Sequence, residues 1–323
     1  MRIVHVLAGR QAWNGIAVLA RGFARAQEAL GHSVRLVRFS PRAVAAADLV
    51  QVHGSWTWPV WAGVLLAVLF RKKLVLTPSG SYDPVRLAYH AWKKRLAAPV
   101  DRWCLRRADL VQATSAAEVA WIRAFEPRVK QIAVVPPGQD LPPLPSALPA
   151  PSATVRAQKR LLYLGRRHPL KGLDILEAAA QGLPLELDVQ SHVFGEEKEA
   201  HFAACDALCL PSLSENFGLV VAEALARGKP VVVTDATPWE GVEAHRCGWC
   251  ARGFAAPETP RQARVESLRR ALAAFCGTPR RECEAMGARG RVWICRSFPW
   301  GRAARKLLRA LAQTTSPEGQ KMV

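Results

Sequence analysis

The sequence predicts an α/β protein built from two doubly wound domains in series, and three observations carry that reading. The chain has 323 residues, more than one typical domain. Short apolar runs alternate with longer helical patterns in both halves, the signature of parallel sheets covered by helices. A stretch from 136 to 152 with seven prolines and little periodicity separates the two series, as an interdomain linker does.

The elements follow in order. Ile3 to Ala8 reads as a first strand, and the loop Trp13-Asn14-Gly15 leads into a helix that ends near Leu30, where Gly31 suits the residue after the last turn. Val34 to Arg38, Leu49 to His53, Leu74 to Thr77, Leu110 to Thr114 and Ile132 to Val135 continue the strand series. After the linker a second series runs through Arg160 to Gly165, Leu185 to Val189, Ala207 to Pro211 and Pro230 to Thr234. The expected organisation is an N-terminal domain over 1–138, a linker over 139–158, a C-terminal domain over 159–298, a helix over 299–312 packing back toward the N-terminal domain, and a disordered tail over 313–323. Two such domains place a ligand at the carboxyl ends of strands, in the cleft between them.

Composition narrows the classes. Half the residues are hydrophobic, which supports a large core and argues against global disorder. The net charge is +19, and the first 150 residues hold +12 of it (20 Lys and Arg against 8 Asp and Glu). Such a field attracts nucleotides, nucleic acid or anionic lipid headgroups. Eight scattered cysteines imply no disulfide framework, and Cys247 and Cys250 lack the matching second pair that a zinc site needs. The opening MRIVHVLAGR reads as a strand rather than a signal peptide, so a cytoplasmic address is expected. The apolar run Trp56 to Phe70, interrupted by Pro59, falls short of the ~20 residues that span a bilayer. It is expected to be a helix buried between strands, with Arg71, Lys72 and Lys73 leaving room for membrane-surface contact.

The segment from Pro211 to Asp235 carries the chemistry. Glu215 and Glu223 stand on either side of Asn216-Phe217-Gly218, a loop that opens a helix. A helix start suits phosphate, and carboxylates suit sugar hydroxyls, so the segment points to a ligand with both. A strand ending at Gly165 is followed by Arg166, Arg167, His168 and Lys171-Gly172, a basic loop suited to a diphosphate. It is not a Walker A loop, and no GxGxxG follows a strand, which weakens a dinucleotide oxidoreductase.

The pattern strand-GR…KG, then PSLSENFG, Glu223 and GKPVVVTD, resembles the retaining glycosyltransferases of family 4, which have the GT-B fold. LVQVHGSWTWP, TPSGSYDP, ADLVQATSAAE, VVPPG, TPWEGVEAHRCGW and SFPWGRAARKLLRAL resemble members that build bacterial lipopolysaccharide and exopolysaccharide. The resemblance implies a nucleotide-diphosphate sugar as co-substrate, no cofactor, no metal, and a glycolipid or polysaccharide acceptor. Arg166 and Lys171 would hold the diphosphate, and Glu223 the ribose hydroxyls. Glu215 would lie near the donor sugar, with Asn216 beside it and the amides of Phe217, Gly218 and Leu219 facing sugar and phosphate. Gly15 matches a loop that closes over the phosphates, and His192 to Gly195, including Phe194, would flank the base.

Three departures from the family pattern stand out. The loop Pro78-Ser79-Gly80-Ser81 lacks a histidine common there, and His53, after the preceding strand, is the candidate substitute. Pro137 stands where Asn is common. Only 183–204 separates the diphosphate helix from the strand before Pro211, so about one βαβ unit of the C-terminal domain is expected to be missing.

The cluster Lys93, Lys94, Arg95, Arg102, Arg106 and Arg107 alternates with Trp92, Leu96, Val100, Trp103 and Leu105. It reads either as a solvated helix face over a buried apolar stripe or as a surface for anionic lipid, peripheral on the inner face of the cytoplasmic membrane. No nucleic-acid recognition module accompanies the charge. The alternative to a working transferase is a GT-B protein of weak or no turnover that binds a glycan or scaffolds a complex.

Overall fold

The computed structural model describes residues 1–7, 15–142 and 157–314. Tertiary contacts divide the chain into two compact units, one of Met1–Gly138 with Phe298–Val323, the other of Gln139–Ser297. The loop residues Trp13 and Asn14, most of the proline-rich linker, and the tail beyond Thr314 lie outside the described residues.

The N-terminal unit holds six strands: β1 (Arg2–Leu7), β2 (Ser33–Val37), β3 (Leu49–His53), β4 (Lys73–Thr77), β5 (Leu110–Ala113) and β6 (Ile132–Val134). They form one parallel sheet in the order β2-β1-β3-β4-β5-β6. Successive side chains of a strand point to opposite faces, so Val4, Val6, Val50, Val52, Leu74, Leu76, Val111 and Ala113 share one apolar face. The other face packs Ile3, Leu49, Val75 and Leu110 against the helices Gly15–Ala29 and Trp300–Gln313. The C-terminal helix thus belongs to the core of this unit, with Ala304 and Leu307 fully buried.

The C-terminal unit holds β7 (Lys159–Leu164), β8 (Leu185–Gln190), β9 (Ala207–Leu210), β10 (Val231–Thr234) and β11 (Gly248–Ala251), parallel in the order β11-β10-β9-β7-β8. Leu161, Tyr163, Cys209 and Val232 pack beneath the helices Leu173–Ala180 and Arg261–Gly277. Helix Leu219–Ala226 covers the opposite face and packs on helix Arg280–Ser297. The sequence reading missed β11. Gly248-Trp249-Cys250-Ala251 contains no β-branched residue, so it carries little strand signal.

Two further expectations are corrected. Pro59 does not interrupt the apolar run; it occupies the first turn of helix Trp58–Leu69, where its missing N–H costs nothing. That helix is not buried between strands. Val60, Val64 and Ala67 face the sheet, but Leu65 and Leu69 are 56% and 67% exposed. Similarly, the apolar residues of helix Ala91–Arg107 do not form one buried stripe. Cys104 and Leu105 are buried, whereas Trp92 and Leu96 are 64% and 75% exposed, and Val100 is also exposed. Among the described residues no helix is long and apolar enough to cross a membrane.

Candidate functional site

The C-terminal unit brings most of the expected residues together at the carboxyl ends of β7 and β9, where parallel sheets bind ligands. β7 leads through Gly165 to Arg166 and Arg167, both exposed and without an ion pair among the described residues. His168 then caps a short 3₁₀ turn, Pro169–Lys171, its Nδ1 accepting the Leu170 N–H at 3.2 Å. Gly172 follows with φ +65, and a Cβ there would stand 2.1 Å from the Pro211 carbonyl oxygen. Only glycine lets this turn and the loop after β9 lie against each other. The Leu213 N–H donates to the Leu170 carbonyl at 2.9 Å and locks the two loops.

That closure sets the central ion pair, Lys171 Nζ with Glu215 Oε2, both side chains largely buried. The Ser212 hydroxyl lies 3.4 Å from the same Glu215 oxygen. The Asn216 N–H donates to Glu215 Oε1 at 3.2 Å. The Thr234 hydroxyl, at the end of β10, donates to the Ser212 carbonyl at 2.7 Å and fixes the loop from the other side. Gly218 then opens helix Leu219–Ala226 at φ +75. Its missing side chain leaves room for Leu210, Glu215 and Trp239, whose atoms stand 2.9–3.3 Å from a Cβ there. Trp239, fully buried, donates its indole N–H to the Phe217 carbonyl and packs on the Phe217 ring at 5.1 Å. The loop before this helix start is therefore rigid, with its backbone direction fixed by a side chain 22 residues away.

Glu223, expected to meet ribose hydroxyls, lies in the same helix and pairs with Lys198 Nζ at 2.7 Å. Lys198 belongs to helix Gly195–Ala204, whose start is Phe194, exposed, and Gly195 at φ +56. Glu223 and the helix that starts after Phe194 are thus joined by an ion pair that sequence reading did not find. Lys198 and Glu223 are far apart in the chain and carry no shared motif, so only the fold could reveal them.

Gly15 and His53 belong to the N-terminal unit. Gly15 is the exposed first residue of helix Gly15–Ala29; the loop before it lies outside the described residues. His53 ends β3 and is fully buried, its Nε2 2.9 Å from His5 Nδ1. Burial pulls its pKa well below 6.5, with the neighbouring His5 acting in the same direction. The loops after β3 and β4 are held by a second buried group. The Asp101 carboxylate accepts the Trp61 indole N–H at 2.5 Å, the Tyr82 hydroxyl at 3.1 Å and the Trp56 backbone N–H at 3.3 Å. Burial raises its pKa. Glu118 accepts the Gly80 N–H at 2.5 Å and the Thr114 N–H at 2.7 Å.

Cys247 and Cys250 are both buried, and burial pushes each thiol up to about 12. Among the described residues no group of three or more His, Cys, Asp or Glu is placed to hold a metal ion.

Comparison with known proteins places this geometry. Residues 38–138 match the model of a glycosyl transferase 4-like domain, and residues 148–273 match that of glycosyl transferases group 1. A D-inositol 3-phosphate glycosyltransferase of Xylanimonas cellulosilytica is 31% identical over 157 residues, 34% of this chain and 36% of that protein. Its counterpart in Corynebacterium efficiens is 26% identical over 285 residues, 72% of this chain and 64% of that protein. The matches thus span between about a third and two thirds of these relatives' own lengths. Among solved structures, sucrose-phosphate synthase from Thermosynechococcus elongatus superposes with a TM-score of 0.72 at 18% identity, over 97% of this chain and 99% of that one. Anabaena HepE, solved with UDP and glucose, gives 0.72 at 17% identity, over 97% and 99%. With both domain models matched in order and both sheets of the fold present, the chain belongs to the group 1 glycosyltransferases of GT-B fold.

Proposed function

We propose that the protein transfers a sugar from a nucleotide-diphosphate sugar to a hydroxyl of a glycolipid or polysaccharide, with retention at the anomeric carbon and without a metal ion. The observation that carries this reading is the Lys171–Glu215 pair, with Arg166 and Arg167 in the same loop free of ion pairs among the described residues, next to the fixed start of helix Leu219–Ala226. Cations and backbone N–H groups suit the negative charge that grows on a departing diphosphate. In the front-face route the bond from the anomeric carbon to the phosphate oxygen breaks as the acceptor oxygen bonds to the same face. The acceptor proton passes to the leaving diphosphate. Glu215, held by Lys171, meets the donor sugar, and Glu223 accepts from ribose hydroxyls. The complexes of HepE with UDP and with UDP-glucose support uridine diphosphate glucose as the first donor to try.

The acceptor side is proposed for the N-terminal unit, with an anionic membrane as its setting. Trp92, Leu96 and Val100 recur at helical spacing on an exposed face, with Lys93 and Arg95 beside them. An amphipathic face of this kind lies in a lipid headgroup layer. Vesicle sedimentation checks it: binding to anionic vesicles that salt reverses supports the surface, and equal recovery with neutral vesicles rejects it.

The transfer itself is tested by incubating the protein with a panel of nucleotide sugars and following release of nucleoside diphosphate. Turnover of one donor, even as slow hydrolysis, supports the reading. The loop Pro78–Ser81, which lacks a histidine, favours the second reading of an inert glycan-binding protein. Nucleotide-sugar binding without any turnover would select it.

A further inference from the structure

A row of polar side chains crosses the buried sheet of the N-terminal unit. Strand register aligns His5 with Gln51, His53 with Thr77, and Leu76 with Val111, which sets Thr77 beside Gln112. Period two then sets His5, Gln51, His53, Thr77 and Gln112 on one face, and all are fully buried. Gln27, also fully buried, reaches them from helix Gly15–Ala29. Buried amides and imidazoles at this density persist only when their hydrogen bonds are mutually consistent.

The direction of these bonds follows from one fixed end. The Val135 carbonyl can only accept, so Gln112 must present its amide nitrogen there, at 2.9 Å. Gln112 Oε1 therefore accepts from Gln51 Nε2 at 3.0 Å and from the Thr77 hydroxyl at 3.0 Å. Gln51 Oε1 is left to accept from Gln27 Nε2 at 3.3 Å. Gln27 Oε1 then faces His5 Nε2 at 2.7 Å, and that nitrogen must carry the proton. A neutral His5 has a bare Nδ1, which takes the proton of His53 Nε2 at 2.9 Å. His53 Nδ1 is the end of the row, buried and, among the described residues, without a partner.

We propose that His5, set by Gln27, is a positioning residue that holds His53 as its Nε2–H tautomer, so that His53 Nδ1 offers a lone pair to a hydroxyl group. Burial supports the neutral state of His5, whose pKa falls to about 4. The polarity is specific. A bare imidazole nitrogen attracts O–H donors and repels phosphate oxygens, so this end of β3 suits a sugar hydroxyl and not a diphosphate. The Thr57 and Ser79 hydroxyls, on the loops after β3 and β4, are likewise buried without partners among the described residues. These three atoms, at or after the carboxyl ends of the neighbouring strands β3 and β4, each leave a hydrogen bond that a hydroxylic guest can supply. The hydroxyl can come from an ordered water or from a substrate. Only the second source rests on the transferase reading above.

Long-range ¹H–¹⁵N correlation of histidine-labelled full-length protein at neutral pH reads the tautomers directly, with His53 assigned by its loss in His53→Gln. The expected spectrum shows the proton of His53 on Nε2 alone; a proton on Nδ1 overturns the proposal. Gln27→Leu should turn the single His53 tautomer into a mixture. An unchanged spectrum in a folded variant overturns the role of Gln27. The wild-type spectrum decides the tautomer even if that variant fails to fold. Glucose added at fixed pH should shift the His53 Nδ1 resonance, and inorganic phosphate should not. No response to glucose assigns the site to water and overturns the substrate role, and a response to phosphate overturns the assigned polarity. Failure of the wild type to bind UDP would reject the transferase reading and leave the tautomer result standing.

Discussion

Gly172 shows how one residue sets the site. Alanine there meets the Pro211 carbonyl and must hold φ +65. The clash and the left-handed backbone together predict a loss of roughly 2–4 kcal/mol. Gly195→Ala, also at positive φ but facing open space, should lose only about 1 kcal/mol. Urea unfolding of the two variants checks the contrast, and equal losses would contradict the packing argument. His5 gives a pH prediction with a definite sign. Its pKa falls from 6.5 to about 4 on folding, so the unfolded chain binds the proton more readily. Stability from this group is full above pH 6.5 and declines as pH falls toward 4, by about 3 kcal/mol over the whole window. His53 acts in the same direction. Asp101, whose pKa is raised, works in the opposite sense, so the informative quantity is the difference between wild type and His5→Phe. The wild type should lose more stability than the variant between pH 7 and pH 4.5; equal losses would contradict the assignment.

At the scale of elements, the helix Trp300–Gln313 completes the core of a unit that is otherwise formed by the first 138 residues. Leu307 is fully buried against the helix Gly15–Ala29 side of the sheet, so Leu307→Ala should cost about 2–5 kcal/mol. Hydrogen exchange locates the loss: amides of β1, β3 and β5 should lose protection while those of β7, β9 and β10 keep theirs. Uniform loss in both units would contradict the division. The strands were legible because their buried runs of Val and Leu are bounded by polar turns. β11 was not, because it lacks β-branched residues. The exposed faces of helices Trp58–Leu69 and Ala91–Arg107 were not legible either. Spacing shows that apolar residues share a face, but which face meets the sheet depends on neighbouring elements.

Across the whole molecule, the parts of the candidate site that lie close in sequence were legible as groups: Arg166 with Lys171, and Glu215 with Gly218 and Glu223. Pairings made by the fold were not. The Lys171–Glu215 and Lys198–Glu223 pairs and the His5–His53 contact join residues from separate elements. The polar row did leave a trace, since buried strands that read LVQVH and LVQA place Gln at interior positions where apolar residues are usual. The net charge of +19 gives the chain a general attraction for anions, so the central claim needs a measurement that separates a built diphosphate site from a diffuse field. That measurement is the affinity for UDP at physiological salt of the wild type, of Arg166→Ala/Lys171→Ala, and of a control with two exposed arginines of helix Arg280–Ser297 replaced, Arg281→Ala/Arg296→Ala. The account predicts at least a tenfold loss in the site variant, roughly 1.4 kcal/mol or more, and wild-type affinity in the control. Full UDP affinity retained by Arg166→Ala/Lys171→Ala would contradict it.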